Sequence, residues 1–245
     1  MTGTELTIVL IAVIVGAIAK AVTGMGLPLI AIPIAALFVE LDDAVVTIAF
    51  ANLLANAVLA FRERSHIADT RDLPVLAVTG AVGAIMGGVA FVTLPEDPLV
   101  ILLIIAIAVY VITFFTQPDL RIGPAQSRRL SPAVGAIAGA FQGAIGISGP
   151  IVGAWIHSFR LSRGAHIFSV TSLFFITGFS QFAVLVVSGE YAGRVTASLL
   201  ACIPVLGSIP IGAWLRDRVS ARGFDLAVIG ILIASIGALS IRALG

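Results

Sequence analysis

Long apolar runs separated by short polar stretches give this chain its outline. They cover roughly 4–22, 27–39, 44–61, 73–93 and 98–116, then 132–145, 149–159, 166–187, 193–214 and 224–243. About 20 apolar residues cross a bilayer core as a helix. The second and seventh runs are short for that and follow Gly-rich breaks, so runs 1–2 and 6–7 read as helical hairpins or broken helices. The other six read as full crossings. The five-run pattern occurs twice. Residues 1–116 are expected to form a first membrane repeat, 117–130 a cytoplasmic linker, and 131–245 a second repeat. The predicted fold is an all-α polytopic membrane protein of about eight to ten membrane segments.

Composition closes off the alternative of a buried soluble core. The 245 residues are 59% hydrophobic and only 11% charged, too apolar for a soluble domain. Glu5 is the only charge before the first apolar run, so the start lacks the positive region of a signal peptide. The one cysteine, Cys202, lies within an apolar run. It excludes an internal disulfide or a Cys-based metal site and reads as a packing residue.

Charge then supplies direction. Arg62, Arg64 and Arg71 share one loop, Arg121, Arg128 and Arg129 the central one, Arg160 and Arg163 another, and Arg216, Arg218 and Arg222 the last. Short basic loops stay in the cytoplasm. Threading the chain accordingly sends run 3 inward, run 4 outward and run 5 inward, gives runs 8, 9 and 10 each the opposite sense to its counterpart, and leaves both termini outside. That is an inverted repeat, an arrangement that puts a transporter's binding site near the midplane of the membrane. The competing reading lets run 1 cross alone, which shifts the register.

The two breaks are the centre of the pattern. VGAIAKAVTG precedes Met25-Gly26-Leu27-Pro28, and VGAIAGAFQG precedes Ala144-Ile145-Gly146-Ile147-Ser148-Gly149-Pro150. Pro28 and Pro150 suit the first turn of a helix, and Ser148 suits an N-cap. A helix start at mid-membrane offers free N–H groups and partial positive charge to an anion. Gly24, Gly26, Gly146 and Gly149 are therefore read as site residues. Gly16, Gly83, Gly87, Gly135 and Gly207 are read as close-packing positions.

Lys20, the only lysine, sits in an apolar run four residues before Gly24. A membrane-embedded cation is a functional candidate, here with the bound anion as its partner; the plainer reading is a side chain that reaches for the interface. Thr23 and Gln142 occupy matching places before the breaks. Asn52 and Asn56 share a helix face, and the second half places Thr171, Ser172, Thr177, Ser180 and Gln181 comparably. These neutral donors suit an oxyanion that binds and leaves, although interhelical hydrogen bonding explains each one singly. His157 and His166 are candidates for a proton relay, and His66 reads as solvated. The sequence contains no phosphate loop, no HExxH and no Cys/His ligand set, so neither cofactor nor metal is expected.

GAIAKAVTGMGLPLIAIP and GAIAGAFQGAIGISGPIVGAW, with the spacing of the halves, resemble the TauE/SafE family of sulfite and organosulfonate exporters over nearly the whole chain. The breaks here are thinner versions of that family's more glycine-rich ones. The resemblance implies a bacterial inner-membrane transporter of a small sulfur-containing anion such as sulfite or sulfoacetate. It implies the lipid bilayer and that anion as partners, no nucleic acid, and no enzymatic activity; monomer and homodimer both stay open. An anion channel or a carboxylate transporter of the same fold is the alternative.

Overall fold

The computed structural model describes residues 1–23, 26–116, 120–216 and 221–244. Ten α-helices carry the described chain: α1 (Gly3–Thr23), α2 (Leu27–Ala35), α3 (Leu41–Arg62), α4 (Leu73–Thr93), α5 (Glu96–Thr116), α6 (Pro124–Ile145), α7 (Gly149–His157), α8 (Arg163–Val187), α9 (Val195–Arg216) and α10 (Ala221–Leu244). A short 3-10 helix, Arg64–Asp69, follows α3. Among the described residues there is no strand, so the chain is an all-α polytopic membrane protein. α1 as far as Lys20, together with α3, α4, α5 and α8, is long and apolar enough to cross a membrane. α2 and α7 have nine residues each, about 13 Å of helix against a core of about 30 Å.

The helices fall into two sets of five with the same order: long, nine residues, then three long. Two boundaries differ from the hydropathy pattern. α6 starts at Pro124 rather than near 132, because Pro124 opens the helix and the polar turns after it bury Ser127 and Ser131. α2 ends at Ala35, where Leu37 and Phe38 turn back onto Ile34 and Ala35.

The chain divides into two compact units, each drawing on both halves of the sequence. Unit 1 comprises Met1–Asn52, Pro95–Phe115 and Gly189–Gly245. In it α1 packs on α9 and α2, and α10 reaches α2. Gly16 permits the α1–α2 approach, since a Cβ there would lie 2.6 Å from the Leu27 carbonyl oxygen. One end is tied by Arg194, whose Nε donates to Asp43 Oδ1 at 2.6 Å and whose Nη1 donates to Glu190 Oε2 at 2.9 Å. Partial burial works against the Arg194 charge. The Asp43 and Glu190 carboxylates outweigh it and raise the pKa above the ordinary arginine value. Cys202 is buried with Sγ on the Ser198 carbonyl, a packing residue as expected.

Unit 2 comprises Leu53–Leu94 and Thr116–Ser188. Its centre is α4, which packs on α6 and on α8. Toward α6 the contact is backbone on backbone. A Cβ at Gly83 would land on the Ala136 carbonyl oxygen, at Gly87 on that of Ala140, at Gly139 on that of Gly80, and at Gly143 on that of Ala84. Toward α8, Gly80 meets Thr177 and Gly88 meets Val184. Small residues at such a seam replace the hydrophobic drive that lipid cannot supply. The Arg-rich end is closed by Arg71, which donates to Ser127 Oγ at 3.0 Å and lies 4.7 Å over the Phe159 ring. Beside it Trp155 Nε1 donates to Ser131 Oγ, which donates on to Asp72.

Gly16, Gly83, Gly87 and Gly135 are thus packing positions. Gly207 is not, for a Cβ there meets nothing within 4 Å; its face of α9 is exposed. This contrast is measurable by thermal melting in detergent. Gly83→Ala is expected to cost about 1–3 kcal/mol through overpacking. Gly207→Ala should hold or gain stability through up to about 1 kcal/mol of helix propensity. Equal melting temperatures for the two variants would contradict the seam.

Candidate functional site

Among the described residues each break carries a positive-φ glycine and a proline in the first turn of the helix that follows. α1 stops at Thr23 and α2 starts after Gly26, which has φ 112° and is followed by proline in the first turn. α6 stops at Ile145 with Gly146 as its left-handed cap, φ 72°, its N–H donating to the Gln142 carbonyl. α7 then starts after Ser148, again with proline in its first turn. Only glycine takes such φ values without cost, so the two breaks need Gly26 and Gly146 for backbone reasons.

The prolines fix which amides are spare. A helix leaves its first four N–H groups without intrahelical acceptors, and proline removes one. In α7, Ile151 and Val152 bond back to the Ser148 carbonyl, which leaves the Gly149 N–H to the break. A Cβ at Gly149 would meet nothing within 4 Å, so the space beside that amide is open. In α2, Ile30 bonds back to Gly26, which leaves the Leu27 and Leu29 amides.

The polar residues near the breaks are buried. Lys20 is 5% exposed, and its Nζ donates to Asn52 Oδ1 at 3.3 Å. Burial on this scale excludes the reading of Lys20 as a side chain reaching into the interface. Asn56, one turn beyond Asn52 on α3, is fully buried. In unit 2, Gln142, Ser148 and Gln181 are buried as well. Ser148 Oγ donates to Gln142 Oε1 at 2.9 Å, Gln142 Nε2 to Gln181 Oε1 at 3.1 Å, and Gln181 Nε2 to the Gly143 carbonyl at 3.2 Å. Ser148 stands at the N-cap position but makes no side-chain cap bond, because its hydroxyl serves Gln142 instead.

The hydroxyls along α8 are spent locally. Thr171, Thr177 and Ser180 donate to the carbonyls of Ile167, Leu173 and Ile176 in their own helix, a common fate for buried hydroxyls in helices. Gly24 lies outside the described residues, as does the side chain of Thr23. His157 and His166 come together, with ring centroids 6.2 Å apart, and Arg160 reaches His157 at 3.4 Å. His66 was expected to be simply solvated. Its side chain is 37% exposed and pairs with Asp69 at 3.3 Å, and its ring also fills the space where Gly164 lacks a side chain.

Sequence reasoning missed the bond between Gln142 and Gln181 and its extension to Ser148. The signal was present: three polar residues in apolar runs, two flanking one break. Among the described residues no group of His, Cys, Asp or Glu could hold a metal ion.

Broken helices flanked by buried polar side chains, in an all-α membrane protein, are a build found among membrane transporters. The model of the family described as sulfite exporter TauE/SafE matches residues 8–239. The chain belongs to that family of membrane transporters. No curated protein matches the chain, and no solved structure does.

The two φ values order the cost of substitution at the breaks. Gly146→Ala, near the left-handed basin at about +57°, should lose about 1–2 kcal/mol of stability. Gly26→Ala, far outside that basin, should lose more. Thermal melting of the two variants checks the order; a milder effect at Gly26 would contradict it.

Proposed function

We propose that this chain is a secondary transporter that moves a small sulfur-containing anion, sulfite or a sulfonate, across the bacterial inner membrane by alternating access. The carrying observation is the buried Lys20, held by Asn52 three residues before a helix break. A lysine buried in a membrane segment is costly unless it serves a function, and an anionic cargo supplies one. Spare amides at the starts of α2 and α7 offer donors to the same kind of ligand. Sulfite and sulfonate head groups present three oxygens to such donors, and the family description names sulfite.

On this reading residues 1–116 and 131–245 are two copies of opposite membrane sense, with both termini in the periplasm. Reciprocal pairing supports it: the first helix of one half packs on the fourth helix of the other, as α1 on α9 and α6 on α4. Each break then contributes binding residues of its own: Lys20, Asn52, Gly26 and Pro28 around the first, and Gly146, Ser148, Gly149 and Pro150 around the second. His157 and His166 form a pair through which a proton passes.

The test is binding and flux with purified protein. Sulfite, thiosulfate, sulfoacetate, taurine, lactate and chloride are screened by thermal shift, where a ligand of the folded state raises the melting temperature. Saturable flux in proteoliposomes follows for those that bind. A shift with sulfur oxyanions supports the cargo, and a response to lactate alone replaces it. Flux that never saturates marks a channel. Lys20→Met is expected to weaken binding about tenfold or more, each tenfold being about 1.4 kcal/mol, with Lys20→Arg intermediate. Unchanged affinity in both would remove Lys20 from the site.

Gly149→Ala separates stability from binding. Its Cβ enters open space, so the melting temperature should hold while the apparent affinity for the anion falls. A fall in melting temperature with affinity intact would assign Gly149 to packing.

A further inference from the structure

In each set of five helices, a residue shortly before the break is tied to the third helix of its own set. Lys20 on α1 donates to Asn52 on α3 at 3.3 Å, and Gln142 on α6 donates to Gln181 on α8 at 3.1 Å. α3 and α8 hold the same place in the order of helices. The chemistry differs, an amine in one and a carboxamide in the other, but the arrangement is the same.

In the second set the tie extends across the break. Gln181 Nε2 donates to the carbonyl of Gly143, one of the last four in α6, which the helix cannot satisfy. Ser148, on the far side of the break, donates to Gln142. Gln181 is 1% exposed, and both ends of its carboxamide are engaged by α6. A satisfied network in apolar surroundings specifies one geometry, because any lost bond strands a desolvated donor or acceptor. Gly143 cannot shift to compensate, since its other side rests on the Ala84 carbonyl of α4.

We propose that Gln181 is a positioning residue: it clasps α8 to the point where α6 stops and α7 starts. The geometry assigns it to the break rather than to the anion. Through Gln142 it reaches Ser148, so the amide of Gly149 keeps its aim while α8 moves. The break and α8 then travel as one body during the transport cycle, and losing the clasp costs turnover rather than affinity. This inference rests on the reading of the break as the anion site.

The experiment pairs Gln181→Met, similar in length but without hydrogen bonds, with the milder Ser148→Ala. Amide hydrogen exchange over residues 143–152 is read in purified protein, alongside sulfite binding and maximal sulfite flux in proteoliposomes. For Gln181→Met, exchange should rise about tenfold, equivalent to about 1.4 kcal/mol. Sulfite affinity should stay within about twofold, and maximal flux should fall about tenfold. Ser148→Ala should raise exchange in the same stretch by less, and it carries the test if Gln181→Met fails to fold. Unchanged exchange in the folded variants overturns the clasp. Weakened sulfite binding with maximal flux retained overturns the positioning role and makes Gln181 a ligand. If the wild-type protein neither binds nor carries any anion of the panel, the transport reading fails, while the exchange result still decides the clasp.

Discussion

The constraint on which the described structure most depends is the approach of two backbones, α4 and α6, along a seam rich in glycine and alanine. Helices in lipid gain nothing from hiding apolar surface, so they associate by close packing. Glycines on alternate sides of one seam, Gly83 and Gly87 from α4, Gly139 and Gly143 from α6, let carbonyl oxygens of each helix rest against the Cα atoms of the other. Such contacts add weak Cα–H···O attraction to dispersion. The break at Gly146 depends on this seam, because Gly143, three residues before it, is part of it. A rigid helix end next to an interrupted helix lets the interruption have a defined shape.

The breaks solve a problem that the apolar composition creates. Ending a helix within a membrane frees carbonyls at one end and amides at the other, each costly without a partner. α6 places its last carbonyls on Gly146 and on the Gln181 side chain. α7 closes two of its amides on Ser148, and Pro150 removes a third. What remains open at the start of α7 is small, the Gly149 amide beside open space. The same economy explains why Ser148 does not cap: its hydroxyl is needed by a glutamine that would otherwise be stranded.

Much of this was legible in the residues. Run lengths marked out the ten helices, and the two Gly–Pro breaks marked where α2 and α7 begin, because proline in a first turn is a local rule that does not wait for tertiary structure. Four of the five glycines read as packing were right; for Gly83, Gly87 and Gly135 the GxxxG spacing along α4 and α6 is itself a packing signal, while Gly16 on α1 packs against α2. Gly207 failed because nothing local distinguishes a glycine facing a neighbour from one facing lipid. The start of α6 was set too late because polarity ends an apolar run without ending a helix. The pairing of Gln142 with Gln181 spans 39 positions, a distance over which spacing rules say nothing.

The α4–α6 seam also bears on how the gene can change. Every missense change at a glycine codon introduces at least a Cβ, and no residue is smaller than the one replaced. At Gly83, Gly87, Gly139 and Gly143 that first atom already meets a carbonyl. Most buried positions have a conservative neighbour one base away, leucine for isoleucine or valine for alanine. These four have none, so every change at them carries a packing cost. Adaptation to a new cargo would have to be written elsewhere, on residues whose side chains have room to differ.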